Sequence, residues 1–431
     1  MVGVGGLSGL SRFGVSSRSA RQRLVPVSTH EFCVVAPVMG GALAYRFIRN
    51  NMGDPATPPA SLGNGFPLWR LGGVSWMRNE AGDPSSPDFR FSADVGAQDY
   101  ALSLSGLYGG SYHGGETAVT NLVLANGAAI DPAAPSQASS FSLQHSSVIT
   151  WSAGNIATVS GYTLTINPDG SLSETLPISS SLNFGESILG MLIAGDGTSN
   201  GWTEASLNAE GLTLPLLAGR TILQNHDDVT IRNPANGAFI RSVSTAKAQP
   251  DYSRTEFRNT GTRSKLYHRF TGTLGSKMTT RTISFGFGPA GAAFSRPNLL
   301  SNSNFSGGTG GWTVYAGSSQ AVVAGKLRLT RQAGQENRIY QGFATEPGAF
   351  YLSVTRASAD NATTGGFVAV GSNANGSKVT PPAVFEQTVV AEHNAQLWKA
   401  TQSMHFHMLG QYTGTPGQQI DYDACAVYRL S

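Results

Sequence analysis

The sequence predicts an all-β chain, and three observations carry that prediction. Charged residues make up 13% of 431 positions, about half the ~25% of an ordinary soluble protein. Long surface helices need charged, straight-chain residues and are disfavoured here. Glycine fills 53 positions, about 12% against a usual ~7%, and supplies the positive φ that tight turns require. From about residue 91, apolar and polar residues alternate with period two between turn signals, the pattern of half-buried strands. The expected architecture is an antiparallel β-sandwich middle domain and a second, C-terminal β-domain, preceded by an extended, irregular N-terminal region.

The N-terminal region, residues 1–90, opens on a basic arm. Arg12, Arg18, Arg21 and Arg23 precede the first acid, Glu31. No continuous apolar run follows the basic start, so a secretory signal is not expected. Gly3, Gly5, Gly6 and Gly9 weaken an amphipathic presequence helix by about 1 kcal/mol each relative to Ala. An arm that docks on a partner remains. APVMGGALAYRFIRNNMG could hold one short helix, and the Pro/Gly-rich DPATPPASLGNGFPLWRLGG follows. Such segments rarely form a core alone, so residues 1–90 are expected to mediate attachment.

Residues 91–290 read as sheet. Asn126-Gly127 is a hairpin signal. Asn167-Pro168-Asp169-Gly170 is a turn in which Pro presets φ and Gly takes the left-handed position. Further strands are expected at 212–224, 228–232, 238–244, 265–273 and 278–286.

This region also holds the polar constellations that could carry chemistry. Tyr112, His113 and Glu116 lie in SYHGGET, and His226, Asp227 and Asp228 in QNHDD. Tyr252, Arg254 and Glu256 precede Lys265, Tyr267, His268 and Arg269. A polysaccharide lyase needs Tyr or His as acid and base, with Arg neutralising the uronate carboxylate. A glycoside hydrolase needs two carboxylates at a set separation. His113, Glu116, Tyr252 and His268 are the candidates for such an enzyme. Each motif adjoins turn residues, so strand-end roles fit equally. The chain has no GxSxG elbow leading from a strand into a helix, and no HExxH, P-loop or GxGxxG-before-helix signature, and no catalytic residue is assigned.

Charge and cysteine usage exclude other classes. A net charge of +3 without a Lys/Arg run gives no nucleic-acid footprint. No stretch of 18 apolar residues marks a membrane-spanning helix. Cys33 and Cys425 stand nearly a chain length apart and read as two buried thiols, with neither a disulfide framework nor zinc spacing.

Residues 298–431 follow the small-residue linker GPAGAAFSRP. Asn298-Leu299-Leu300, Asn302, Phe305, Gly307 and Gly311-Trp312 open this segment, and IDYDACAV (420–427) closes it. These residues resemble the opening and last strand of carbohydrate-binding modules of the family 4/9 type. The resemblance implies a jelly roll that binds sugar by aromatics on a concave face or at the loop end. The implied candidates are Trp398, Tyr340, Tyr412 and Tyr315, with polar partners Arg338, Gln341 and His405. It also implies a structural calcium near the termini, for which Asp421 and Asp423 are the candidates; no other cofactor is expected. Phe305 and Trp312 are expected to fill the core.

The whole order, basic arm then β-domain then sugar-binding-like jelly roll, resembles bacteriophage tail fibres, tailspikes and head spikes. That resemblance implies a virion protein made in the bacterial cytoplasm and displayed on the particle exterior. Residues 1–90 would bind other virion proteins, the C-terminal module would adhere to host surface polysaccharide, and the fibre would be a homotrimer. The alternative is a polysaccharide lyase or glycoside hydrolase with a C-terminal carbohydrate-binding module.

Overall fold

The structure, a computed structural model, describes residues 21–28, 31–38, 41–48, 69–71, 74–77, 89–95, 98–103, 115–151, 154–194, 201–259, 264–315, 318–333, 337–360, 366–374, 383–384, 391–411 and 415–431. Strands dominate these residues; the one helical element among them is a 3₁₀ turn, Ala246–Ala248.

The short helix considered around residues 36–53 is instead a strand pair, Glu31–Val38 and Gly41–Ile48, joined in register from Glu31↔Ile48 to Val38↔Gly41. Pro37 and the Gly40-Gly41 step both oppose a helix there. Phe32, Val34 and Ala36 alternate inward, each at most 1% exposed. They share a core with Phe141, Leu143, Leu164 and Ile166. Gln22 fastens this sheet to the middle region by donating from Nε2 to the carbonyls of Ile166 and Asn167.

The middle region is a run of antiparallel ladders. Asn126 and Gly127 turn between Gly115–Ala125 and Ala128–Ile130 with φ of 50° and 84°, as a hairpin with two left-handed residues requires. The 167–170 turn closes with the Gly170 N–H donating to the Asn167 carbonyl at 2.9 Å, and Gly170 has φ 81°. The strands expected at 265–273 and 278–286 form one strand, Ser264–Phe287. It pairs with Leu172–Ala194 from Leu172↔Ile283 to Ala194↔Ser264. Gly272 and Gly275 do not break it, because register shifts beside them, at Ser180/Asn183 and Phe184/Glu186, absorb the irregularity.

The C-terminal region is a sandwich of two sheets. One contains Thr313–Val314, Asn337–Ala344, Met404–Gln411, Gly366–Gly371 and Ala383–Val384. The other contains Ser319–Val323, Lys326–Thr330, Gln419–Arg429, Phe350–Ala359 and Glu392–Lys399. Leu327, Leu329, Ile339, Phe343, Tyr351, Val368, Trp398, Leu409, Tyr422 and Val427 fill the space between them.

The part of the second sheet next to the middle region is covered on both faces. Leu352, Val354, Ala395, Leu397 and Ala426 point away from the sandwich core into the middle region's core. The sheet continues across this boundary, because Glu392–Lys399 pairs in parallel with Gly219–Gln224, from Gly219↔His393 to Ile222↔Gln396. Gly219 makes that approach possible. Its φ is 134°, and a Cβ there would lie 2.0 Å from the His393 carbonyl oxygen. Gly219→Ala is therefore expected to cost on the order of 3 kcal/mol, from a disallowed φ and a backbone clash. Urea unfolding measures this, and an unchanged midpoint would count against the junction.

Candidate functional site

The segment that opens the sandwich is held by side chains to backbone. Asn298 Oδ1 accepts from the Leu300 and Val427 N–H groups, tying the entry of the sandwich to its last strand. Asn302 donates to the Gly308 and Gly310 carbonyls and accepts from the Gly307 N–H. Phe305 and Trp312 meet with ring centroids 5.5 Å apart. They are 0% and 7% exposed, core residues as expected from the sequence.

The five-stranded sheet carries a second apolar layer on its outer face. Along Asn337–Ala344, Ile339, Gln341 and Phe343 point inward, which sends Arg338, Tyr340 and Gly342 outward. Register places Arg338 beside Gly410, Tyr340 beside Met408 and Gly342 beside Phe406. On the other side of Met404–Gln411, Phe367 stands beside Gly410 and Ala369 beside Met408. The result is a cluster of Phe367, Ala369 and Met408, with Tyr340 and Phe406 packed against it.

Glycine shapes this face. A Cβ on Gly410 would lie 2.2 Å from the Phe367 ring, and one on Gly342 would lie 3.1 Å from the Phe406 ring. Each phenyl ring thus packs against a glycine of the neighbouring strand, in space that a side chain there would crowd. The layer is closed at one end and open at the other. Phe367 and Met408 are at most 1% exposed, whereas Met404 is 50% exposed and Tyr340 and Phe406 are half-buried. Tyr340 and Phe406 meet edge to face at 5.9 Å. At the closed end the Arg338 guanidinium lies 4.3 Å from the centre of the Tyr315 ring. Half-exposed rings beside a flat glycine step can receive the C–H face of a sugar, with polar groups at the edge for its hydroxyls.

The candidates read from sequence divide accordingly. Tyr340, Tyr315 and Arg338 come together on this outer face. Tyr412 lies outside the described residues. Trp398, Gln341 and His405 are corrected to interior positions. Trp398 is 5% exposed, stacks on Tyr351 at 5.0 Å, and donates from Nε1 to Ser353 Oγ at 3.0 Å. Gln341 accepts from the Ser301 N–H and donates to the Ser301 and Gly311 carbonyls, pegging the opening segment. His405 is fully buried between Thr345 and Thr401. Period two along 337–344 and 404–411 separates the inward from the outward set, but the sequence does not say which set faces the core. Phe406 was missed; its alternation with His405 and His407 was the available signal.

Asp421 and Asp423 are corrected as calcium ligands, because cations already occupy them. Asp421 accepts from Arg328 Nε at 2.8 Å and Nη2 at 2.9 Å. Asp423 pairs with Lys326 and Arg356, each at 2.9 Å. Among the described residues no group of three or more His, Cys, Asp or Glu could hold a metal ion. Cys425 is buried, and burial pushes its thiol up.

In the middle region, His113 lies outside the described residues, and Glu116 stands opposite Ile149 in the strand Gly115–Ala125. Tyr252 and His268 do converge. The Tyr252 hydroxyl donates to the Gln224 carbonyl at 2.6 Å, and Thr255 Oγ1 lies 2.7 Å from it and 2.9 Å from His268 Nδ1. His268 is 0% exposed, and burial with the nearby Arg281 charge pushes it down to about 3. Burial raises the Tyr252 phenol to about 12. His268 sits inside the protein with Tyr252 partly buried beside it, and their hydrogen bonds to Thr255 and the Gln224 carbonyl read as a structural network. Glu256 belongs to the same interior, with Arg269, Arg254 at 3.1 Å and Arg220 at 3.7 Å around its carboxylate.

No known family model matches the chain, and no curated protein does. Solved structures that it resembles include a family 16 carbohydrate-binding module, 16% identical over 30% of this chain and 99% of that one, with a TM-score of 0.25. The family 22 xylan-binding domain from Paenibacillus barcinonensis is 16% identical over 32% of this chain and 99% of that one, at 0.26. The enzymatically active domain of bacteriophage CBA120 tailspike protein 4 is 13% identical over 31% of this chain and 21% of that one, at 0.25.

Proposed function

We propose that this chain is an adhesin that binds polysaccharide on the outer face of its five-stranded sheet. The observation that carries the reading is the open end of that face, where half-exposed Tyr340 and Phe406 flank the flat Gly342 step. Apolar rings left at a surface beside an otherwise closed layer mark a binding site more often than a packing defect. The finer reading is a tail fibre or head spike of a phage-like particle. Residues 1–90 attach it to other virion proteins, and trimeric display multiplies weak contacts by about 10²–10⁴-fold through effective concentration. The acid-free basic arm before Glu31 supports that part of the reading.

Tyr340→Ala and Phe406→Ala each remove a ring from the face while leaving the sandwich core intact. Each is expected to weaken retention on host-cell polysaccharide about tenfold or more, at little cost in melting temperature, as loss of a stacked ring at a binding face does. If both variants bind as the parent does, the face is not the site. Deleting residues 1–20 should leave a folded protein that no longer joins its particle, read by particle purification and immunoblotting.

A further inference from the structure

We infer that the polysaccharide is acidic and that Arg338 receives its carboxylate; this rests on the outer-face reading above. Arg338 is 5% exposed. Around its guanidinium lie the Met408 thioether, 3.7 Å from Nη1, and the Tyr315 ring face. Nε is buried and has no acceptor. None of the ion pairs among the described residues includes Arg338, although Arg328, Arg356 and Arg429 on the same sandwich each hold a carboxylate.

An arginine cannot escape this situation by releasing its proton. A buried, unpaired cation is costly, and the cost is relieved only by an anion brought to it. The planar fork of guanidinium donors matches a carboxylate better than any neutral hydroxyl. Placement gives the anion its source. Arg338 is next but one to Tyr340 on the same outward row, and Tyr315, 36% exposed, covers the guanidinium from the solvent side. A uronate residue whose neighbour stacks at the Tyr340 and Phe406 end therefore presents its carboxylate at Arg338, with Tyr315 swinging aside to admit it.

Two experiments test this. In the first, Arg338→Gln is melted without ligand. Removing an unpaired buried charge is expected to leave the melting temperature unchanged or raise it. A fall of several degrees would show that the arginine is a structural element and overturn the inference. In the second, the full chain is titrated with polygalacturonate, alginate and hyaluronan, each beside its carboxyl-reduced, neutral counterpart. At least one acidic polymer is expected to bind, with a loss of about tenfold or more on carboxyl reduction, the worth of one charge-assisted bond. Arg338→Gln should erase that preference, whereas Tyr340→Ala should weaken both forms. Binding of neutral polymers through Tyr340, unchanged in Arg338→Gln, would overturn the inference and leave the outer-face site standing. Binding to no acidic polymer also overturns it, and adhesion to host cells that survives Tyr340→Ala and Phe406→Ala would remove the site beneath it.

Discussion

Acidification from pH 6.5 towards pH 4 should unfold this protein steeply. His268 and His407 are both fully buried and are both pushed down to about 3, chiefly by burial, with the Arg281 charge adding to the effect at His268. In the unfolded chain each titrates near its ordinary 6.5. Between these two values the unfolded state binds a proton that the folded state refuses, so stability rises with pH. The contribution is fully present above about pH 6.5 and is lost as pH falls towards 3. Each histidine removes about 1.4 kcal/mol per pH unit through that window, and the pair roughly 3 kcal/mol per unit.

Other groups push the same way. His226, His393 and His405 are all lowered, with burial the first cause in each. Burial would raise the Glu256 carboxyl, but the Arg220 and Arg269 charges outweigh it and hold the group low. Its stabilisation is therefore lost at the acid end as well. Denaturant unfolding at a series of pH values gives the slope. His407→Gln keeps a polar side chain near Thr355, whose Oγ1 lies 3.3 Å from Nε2, but cannot take up a proton. It should flatten the slope by about 1.4 kcal/mol per pH unit. An identical slope in the variant would show that His407 is protonated in the folded state.

The class of the fold was legible because period-two alternation and turn residues are local signals. Asn126-Gly127 and the 167–170 turn specify their own backbone, and the structure places both where the sequence does. What was not legible depends on partners far away in the chain. The segment around 36–53 carries apolar residues that fit a helix or a strand, and the core that Ala36 shares with Phe141, Leu164 and Ile166, more than a hundred residues further along the chain, decides between them. The shared sheet is a second case. Leu352, Val354, Leu397 and Ala426 read as ordinary strand residues, and only the pairing at Gly219 shows that both faces of their sheet are covered.

The site follows the same rule. Strand alternation splits 337–344 and 404–411 into two sets but leaves open which set is inside. Tyr340 and Arg338 fall on the outer face and Trp398 in the core, so ring size was a poor guide to exposure. A large aromatic ring is the most effective filler of a sandwich core and also the most effective sugar platform. Composition alone does not tell the two uses apart.

That distinction sets the second large effect. Trp398→Ala should destabilise the C-terminal sandwich by about 3–5 kcal/mol, the cost of emptying a packed Trp site. The cavity would open among Tyr351, Phe343 and His405, whose rings lie 5.0, 6.0 and 4.9 Å from the indole. Strands on both sheets fix these three rings, which limits collapse into the space. Ser353 Oγ would also lose the indole N–H that donates to it. Because the sheet carrying Trp398 continues into the middle region through Gly219–Gln224, the loss should lower the main unfolding transition. Trp398→Phe keeps much of the volume and should recover part of the stability. Calorimetry of the full chain separates the outcomes. A fall in melting temperature with normal polysaccharide binding below the transition is expected of a core residue. Unchanged melting with lost binding would return Trp398 to the surface site and reverse the assignment of the two faces.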